Sequence, residues 1–269
     1  MNTPARTART PRQIAVYVGI GLLAGLMSGL FGVGGGTLIV PMLVLLLAFD
    51  QRLASGTSLA AVVPTAIVGI VTYASNDEVA WIPAVILAAG AIIGAQIGTW
   101  LLHRLSLGFL RWMFIVFLVA VMVNLFFDIP SRSAVLELTW LSGAGLAVAG
   151  VVTGILSGIL GVGGGIIIVP VMMMLFGMSD LIAKGTSLVM IVPTSVSGTI
   201  ANLRRRNTDL VVAAYIGIAA CFTTPFGAWI ARSVTPFVGN MLFAIFIAII
   251  VTQLIVRAVR QRRTAKRVV

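Results

Sequence analysis

The chain is 269 residues long, with 59% hydrophobic residues and only 9% charged residues. Soluble domains carry about 25% charged residues, so this chain has too few to cover a surface that faces water. Its mean hydropathy of +1.13 therefore excludes an ordinary soluble domain and predicts that lipid surrounds most of the protein.

The formal net charge of +11 does not indicate a nucleic-acid partner, because the basic residues flank apolar segments. They cluster at the two ends and in one short connection: Arg6, Arg9, Arg12, Arg204, Arg205, Arg206, Arg257, Arg260, Arg262, Arg263, Lys266 and Arg267. Flanking basic residues mark the cytoplasmic side of a membrane protein. We predict a multi-pass protein of the cell (inner) membrane with both termini in the cytoplasm and no nucleic-acid partner.

Metal and cofactor sites are not expected. Cys221 is the single cysteine and lies within an apolar segment, which excludes an internal disulfide and argues against a thiolate metal site. The apolar segments also hold no paired carboxylates, no His/Cys cluster and no Ser/His/Asp set that could form a catalytic centre. The sequence therefore predicts no metal, no cofactor and no enzyme activity.

Eight apolar segments of about the length that a spanning helix needs, or longer, follow one another along the chain. They are Ile14–Phe49, Leu53–Ala74, Ala80–Leu102, Phe109–Phe127, Leu141–Met178, Leu181–Leu203, Leu210–Ala231 and Pro236–Val256. The predicted fold is an all-α polytopic membrane protein.

The second half of the chain repeats the first in one constant register. GLMSGLFGVGGGTLIVP at 25–41 matches GILSGILGVGGGIIIVP at 154–170 at 11 of 17 positions, and 56–69 matches 185–198 at 8 of 14. Internal repeats of this kind are common in transporters. We predict a basic tail (1–13), a first repeat (14–127), a linker (128–140), a second repeat (141–256) and a second basic tail (257–269).

The first segment of each half is too long for a single crossing. Residues 14–49 number 36 and would extend about 54 Å as one helix, against a hydrocarbon core of about 30 Å. The GVGGG run either breaks a long tilted span or turns a re-entrant pair of half-helices. The re-entrant arrangement inverts the second half and places 15 of the 18 Lys and Arg in the cytoplasm, against 13 if every segment spans. The positive-inside rule therefore favours inverted repeats.

The two GVGGG runs predict an anion site. Glycine lets a helix stop inside the membrane, and a half-helix that starts after it offers free N–H groups and a positive dipole end. The candidate ligands are Gly34, Gly35, Gly36, Thr37, Gly163, Gly164 and Gly165. The alternative is that these glycines only allow close helix packing, the role that we assign to GxxxG pairs such as Gly25/Gly29.

Hydroxyl groups near these runs extend the predicted site, because they can donate to oxyanions. They belong to two Gly-Thr-Ser and two Pro-Thr sequences: Thr57, Ser58, Thr65, Thr186, Ser187 and Thr194. The Pro-Thr threonines could instead rebond a carbonyl that the proline frees. Lys184 either attracts an anion at an external pore mouth or is a solvated charge at a segment end.

The positions of the acidic residues bear on energy coupling. None of the seven lies in the middle of an apolar segment, whereas proton- and cation-coupled carriers commonly bury one. An anion that leaves a cell at about −100 mV gains about 2.3 kcal/mol, which supports a gradient of roughly 40-fold at about 1.4 kcal/mol per decade. We therefore expect anion efflux that is not coupled to the movement of another ion.

The doubled motif G-x-x-S-G-x-x-G-V-G-G-G-x-x-x-V-P, with G-T-S and P-T after each copy, resembles the TauE/SafE (sulfite exporter) family. The matching positions are Gly32, Gly34, Gly35, Gly36, Pro41, Gly56, Thr57, Ser58, Pro64 and Thr65, with their counterparts in the second repeat. The resemblance covers roughly residues 14–256. It implies a membrane permease for sulfite or a related sulfur-containing organic anion.

Three functions remain open from the sequence. The first is an exporter of a small anion, with the lipid bilayer as a partner and a second copy of the chain as a candidate partner. The second is an importer of an organic acid coupled to Na⁺ or H⁺. The third, a membrane-embedded enzyme or assembly factor, lacks any residue set that supports it.

Overall fold

The computed structural model describes residues 10–101, 139–160 and 163–265, together with single positions between 112 and 123. These described residues form nine continuous α-helices. In chain order they are α1 Pro11–Phe31, α2 Gly36–Leu47, α3 Gln51–Ala74, α4 Trp81–Leu101, α5 Trp140–Leu160, α6 Gly165–Phe176, α7 Asp180–Arg204, α8 Leu210–Ser233 and α9 Pro236–Ala265.

Within the described residues, six helices are long and apolar enough to cross a membrane: α1, α3, α5, α7, α8 and α9. The helices α2 and α6 contain 12 residues each, a rise of about 18 Å, which is too short to cross alone. Apart from the first segment of each half, which contains two helices, the helix bounds follow the predicted apolar segments; α9 also continues past 256 to Ala265. Most of the predicted segment Phe109–Phe127 lies outside the described residues.

The start of α1 is fixed by local chemistry. Thr10 is the N-cap; its hydroxyl accepts from the Gln13 N–H at 3.4 Å, while the Gln13 side chain accepts from the Thr10 N–H at 3.1 Å. Pro11 occupies the first helical position, where its missing N–H costs nothing. This reciprocal capping box starts the helix shortly before the predicted apolar segment.

The first predicted segment of each half contains two helices in the structure. After α1 ends, Gly32, Gly34 and Gly35 have φ of +69°, +72° and +75°, and α2 begins at Gly36. A Cβ on Gly35 would lie 2.8 Å from the carbonyl oxygen of Ala24, which lies well before the end of α1. The chain therefore folds back along α1 before α2 begins.

The first helix of each half packs against a helix of the other half: α1 packs on α8, and α5 packs on α4. Gly21 and Gly29 of α1 lie against the backbone of Ile216 and Thr224 in α8. Residue numbers rise together along both helices, so α1 and α8 run parallel. Their backbones touch because glycine has no side chain to hold them apart.

The reciprocal pair, α5 and α4, has the same geometry. Gly90 and Gly94 of α4 lie against the backbone of Ala147 and Val151 in α5. Residue numbers again rise together, so α4 and α5 are parallel. The predicted close-packing role of the GxxxG glycines is confirmed at these positions.

The second long helices of the two halves, α3 and α7, pack against each other in opposite directions. Gly69 of α3 lies against Leu188 near the start of α7, while Leu59 near the start of α3 lies against Gly198. These contacts fall at the centre of the molecule, since α3 also packs on α8 and α7 on α4. The two halves of the chain therefore contact each other through three helix pairs: α1–α8, α4–α5 and α3–α7.

We predict that Gly25→Ala destabilises the protein whereas Gly19→Ala does not. A Cβ on Gly25 would clash with the Ala220 carbonyl oxygen, but one on Gly19 meets nothing within 4 Å. Overpacking of this kind costs about 1–3 kcal/mol, and both changes raise helix propensity equally. Thermal unfolding of purified protein in detergent measures both; equal melting temperatures for the two variants would contradict the α1–α8 packing.

Candidate functional site

The start of α6 touches the glycine-rich connection that leads into α2, although the two belong to different halves of the chain. A Cβ added to Gly165 would lie 2.7 Å from the Cα of Val33 and 3.0 Å from the carbonyl oxygen of Gly32. The backbone at the start of α6 therefore touches the backbone between α1 and α2. Every glycine that the sequence placed in the predicted site lies on one of these two connected segments.

The start of α2 has amide groups without acceptors. Its N-cap is Gly35, which has no side chain to cap the helix, and the first turn holds no acidic residue. The N–H groups of Leu38 and Ile39 both donate to the Gly35 carbonyl, at 3.0 and 3.1 Å. The N–H groups of Gly36 and Thr37 have no acceptor among the described residues.

The start of α6 repeats this arrangement. Gly164 is the N-cap with φ +78°, and no side chain caps it. The N–H groups of Ile167 and Ile168 donate to the Gly164 carbonyl at 3.0 and 3.1 Å. The N–H groups of Gly165 and Ile166 have no acceptor within the described part of the chain.

The uncapped N-termini of α2 and α6 each create a positive electrostatic potential in this region. Each carries the equivalent of about +0.5 elementary charge, and free backbone amides are costly where water is excluded. An anion placed between α2 and α6 would satisfy the amides and compensate both dipoles at once. The arrangement is chemically suited to a small oxyanion.

The hydroxyls of Thr57 and Thr186 join helices across the two halves. The N–H of Asp209, the N-cap of α8, donates to Thr57 at 3.0 Å, and the N–H of Ala80, just before α4, donates to Thr186 at 3.0 Å. The two threonines are equivalent positions of the repeat, and so are the two residues whose amides they accept. These two predicted site residues therefore make equivalent hydrogen bonds between the two halves of the chain.

The hydroxyls of Ser58 and Ser187 contact the glycine-rich segment between α1 and α2. Ser58 donates to the Gly36 carbonyl at 3.4 Å. Ser187 lies 2.6 Å from the Gly32 carbonyl and 2.6 Å from the Lys184 carbonyl. Both serines are fully buried and hold the backbone of the candidate site in place.

The hydroxyls of Thr65 and Thr194 bond within their own helices. Thr65 donates to the Ala61 carbonyl at 2.9 Å, and Thr194 lies 3.1 Å from the Met190 carbonyl and 2.9 Å from that of Ile191. The expectation that they rebond the carbonyls freed by Pro64 and Pro193 is wrong. Those carbonyls lie four positions before each proline, and the hydroxyls reach only carbonyls that come later along each helix.

One predicted hydroxyl remains available. Thr37, in the first turn of α2, is 5% exposed, and its oxygen has no partner among the described residues. The buried hydroxyl oxygens of Ser28 and Ser195 also have no hydrogen-bond partner among the described residues. The sequence analysis placed neither serine in the site. Ser28 recurs as Ser157 in the second repeat, a signal that could have singled it out; Ser195 has no such signal.

Lys184 is buried rather than solvated. It is 3% exposed, and its ammonium lies 3.0 Å from the Asp180 carboxylate, which is 2% exposed. The interpretation of Lys184 as a solvated charge at a segment end is therefore wrong. Asp180, at the first position of α7, was not expected to lie in the interior.

The chain matches the family model described as Sulfite exporter TauE/SafE over residues 2–125 and again over 146–269. It belongs to the TauE/SafE family. The two matched stretches fall in the two halves of the chain.

Curated relatives of this TauE/SafE protein bear transporter names. It is 26% identical to the probable membrane transporter protein YunE of Bacillus subtilis, over 90% of this chain and 97% of that one. It is 28% identical to one from Methanocaldococcus jannaschii, over 58% and 60% of the two chains. No solved structure matches. Together with the apolar helices, these relatives establish a multi-pass membrane protein.

One groove in the described part of the protein reaches the first turn of α6 at Ile167, but it is apolar. It has a volume of about 730 Å³ and runs between α5 and α6, lined by Leu141, Val148, Val152, Ile167, Val171 and Phe176, among others. Its walls are nearly all carbon, and they offer an anion no hydrogen-bond donors to replace water. We therefore locate the candidate site at the backbone amides and not in this groove.

We predict that Ser187→Ala destabilises this TauE/SafE protein more than Ser195→Ala. Both serines are fully buried on α7, but only Ser187 bonds the Gly32 carbonyl. Leaving a buried acceptor unsatisfied costs about 1–3 kcal/mol, whereas the Ser195 oxygen has no partner to lose among the described residues. Melting temperatures in detergent measure the difference; an equal loss in both variants would contradict the role of Ser187.

Proposed function

We propose that this protein transports a small anion, such as sulfite or an organosulfonate, out of the cell. The substrate binds between the N-termini of α2 and α6. The observation that carries the proposal is the contact of Gly165 with Gly32 and Val33, which brings the uncapped start of α6 against the connection that leads into the uncapped start of α2.

Several features of the site support an anion over a cation. The first two amides of each helix lack acceptors within the described residues, and neither first turn contains an acidic side chain. The buried hydroxyl of Thr37 adds a donor beside the amides of α2. Donors with no acidic side chain in either first turn favour an oxyanion.

We also propose that the two halves are inverted repeats with re-entrant helices α2 and α6. The support is that α3 and α7, which occupy equivalent places in the repeats, pack in opposite directions. The short lengths of α2 and α6 and the reversal between Ala24 and Gly35 agree with helices that enter and leave by the same face. Inverted repeats commonly bind substrate where discontinuous helices meet.

The topology that follows places both termini in the cytoplasm of the cell that carries this protein. The proposed units remain those of the sequence: tails 1–13 and 257–269, repeats 14–127 and 141–256, and the linker 128–140. A homodimer also remains a proposal. The family membership supports transport, since the relatives are named as transporters and the family model is named for sulfite export.

An ion-coupled importer of an organic acid is the second candidate. The observation that favours it is the burial of Asp180, because carriers coupled to protons or cations commonly hold a carboxylate in the interior. An uncoupled exporter needs no such group. Flux measurements under a pH or sodium gradient separate the two candidates.

Transport by purified protein in liposomes tests the proposal, with a panel of sulfite, methanesulfonate, isethionate, sulfate and acetate. We expect the wild type to carry at least one sulfur oxyanion. Thr37→Val should lower the flux about 10-fold or more, because a hydrogen bond to a charged group contributes about 1.5–3 kcal/mol. The same change should not lower the melting temperature, since it removes a buried hydroxyl that has no partner among the described residues.

Thr252→Val is the matched control, because the Thr252 hydroxyl bonds the Ala248 carbonyl on the exposed side of α9. Its flux should equal that of the wild type. Normal flux through Thr37→Val would remove this hydroxyl from the site. A wild type that carries none of the five anions would overturn the proposed function.

A further inference from the structure

A row of polar side chains leads away from the candidate site along one face of α7. The row begins beside Ile191, whose side chain would lie 3.2 Å from a Cβ on Gly34 and 2.8 Å from one on Gly165. Three polar residues follow at intervals of four, four and three positions, a spacing that places them on one face of the helix. They are Ser195, Thr199 and Asn202. From Ile191 to Asn202 the helix rises about 17 Å, which carries the row from the candidate site to the last turn of α7.

This face of α7 packs against α3. A Cβ on Gly69 would lie 2.6 Å from the Leu188 side chain, and a Cβ on Gly198 would lie 2.8 Å from the Leu59 side chain. Ser195 lies between Leu188 and Gly198 on the same face of α7 and is fully buried. The row therefore runs inside the protein, between its two halves.

The row ends where α7, the α7–α8 connection and α3 meet. A Cβ on Gly56 of α3 would lie 3.0 Å from the Cβ of Asn202 and 2.8 Å from the hydroxyl oxygen of Thr208. We call Ser195, Thr199, Asn202 and Thr208 the α7 row. Because α1 and α8 are parallel, the start of α1 lies at this end of the molecule, the end that the proposed topology places in the cytoplasm.

The hydroxyls of the α7 row have no hydrogen-bond partners among the described residues. The oxygens of Ser195, Thr199 and Thr208 are all buried. By contrast, Thr224 and Thr252 each donate to a carbonyl one turn earlier in their own helix, at 2.8 Å. A buried hydroxyl without a partner costs free energy, and native proteins contain few such groups. Three of them in one row therefore indicate a ligand that accepts their hydrogen bonds.

The repeat shows that helix packing does not require the α7 row. A Cβ on Gly185, the counterpart of Gly56, would lie 2.9 Å from the Cβ of Tyr73 and 3.0 Å from a methyl group of Val79. The same junction is thus built at the other end of the molecule with an aromatic and an aliphatic side chain. The four positions equivalent to the α7 row are Ala66, Ile70, Tyr73 and Val79.

We propose that the α7 row is the route by which the anion passes between the candidate site and the cytoplasm. This inference rests on the anion transport proposed above. The hydroxyls and the Asn202 amide donate hydrogen bonds that replace water around the anion. Successive members on the helix lie about 6 Å apart along its axis, so an anion that leaves one donor reaches the next.

The route has a direction in the described conformation. At the equivalent positions toward the other end, Ala66, Ile70 and Val79 offer an anion no donor, and the Tyr73 hydroxyl already bonds the Gly29 carbonyl. A charged group next to carbon side chains alone loses its hydration without compensation. The anion therefore reaches the candidate site from the end where the α7 row lies.

Labelling of single introduced cysteines tests the route. The reagent is 2-sulfonatoethyl methanethiosulfonate, which does not cross membranes and carries a sulfonate, an anion of the proposed class. We expect it to modify Ser195→Cys and Thr199→Cys in inside-out membrane vesicles, which expose the cytoplasmic face. The added mass of the intact chain measures the modification, after subtraction of the wild type, which contains Cys221.

Ala66→Cys and Ile70→Cys are the matched controls, because they place the same thiol at the equivalent positions of the first half. From the cytoplasmic face, we expect their modification to be about 10-fold slower or more, since no donors lead a charged reagent to them. A positively charged methanethiosulfonate should also modify Ser195→Cys more slowly than the sulfonate does, once each rate is divided by the rate with a free thiol in solution.

Anion flux in liposomes gives a second measurement. Ser195→Ala should lower the flux about 5-fold or more, because the anion loses one hydrogen bond on its way. Its melting temperature should not fall, since the Ser195 oxygen has no partner among the described residues. Ser197→Ala makes the same change two positions away, on the opposite face of α7, and should keep the wild-type flux.

Several outcomes would overturn the inference. Equal labelling of Ser195→Cys and Ala66→Cys from the cytoplasmic face, or labelling of Ser195→Cys only from the outside of intact cells, would remove the route. So would faster normalised labelling by the positively charged reagent. Thr199→Cys decides the same questions if Ser195→Cys does not fold.

Failure of the route and failure of the proposed function are distinguishable. A wild type that carries an anion while Ser195→Cys and Thr199→Cys both resist labelling would exclude the α7 row and leave the candidate site intact. A wild type that carries none of the five anions would overturn the proposed function and the route together, whatever the labelling.

Discussion

The whole structure depends on one constraint: inside a membrane, each backbone N–H and C=O must find a partner within the protein. Long helices meet this requirement along their length, and the α1–α8 and α4–α5 pairs use glycine to bring satisfied backbones into contact. The segments before Gly36 and Gly165 are the exception. There, helices start without caps, and their first two amides have no acceptor among the described residues. A bound anion can accept hydrogen bonds from these amides.

Most of the buried hydroxyls near the candidate site already have hydrogen-bond partners. Those of Thr57 and Thr186 fix the starts of other helices, and those of Ser58 and Ser187 bind carbonyls at the first break. Hydroxyls that are already bonded hold the backbone in shape, whereas the unpartnered oxygen of Thr37 is positioned to take part in binding. Because its counterpart in the second half is Ile166, the two sides of the site are not chemically equal. The Asp180–Lys184 pair adds a second difference between halves that otherwise repeat.

The sequence predicted the helices well, because long apolar segments and an internal repeat that spans both halves are strong signals for membrane helices. It also identified the glycine runs, since the GVGGG sequence cannot continue a helix without cost. It could not predict which hydroxyls are already bonded, because the partners of Thr57 and Ser187 lie far away along the chain, in the other half. Asp180 was missed for a related reason: it begins an apolar segment, and distant parts of the chain, such as α9 at Gly239, approach it.

The position of a bound anion is the most direct test of this account. Selenite, the selenium analogue of sulfite, can be located by anomalous scattering in crystals of the purified protein. The account predicts a peak between the starts of α2 and α6, at hydrogen-bond distance, about 3 Å, from the amide nitrogens of Gly36, Thr37, Gly165 or Ile166. A selenite peak found only elsewhere, or continuous helix through residues 32–36 and 161–165, would contradict it.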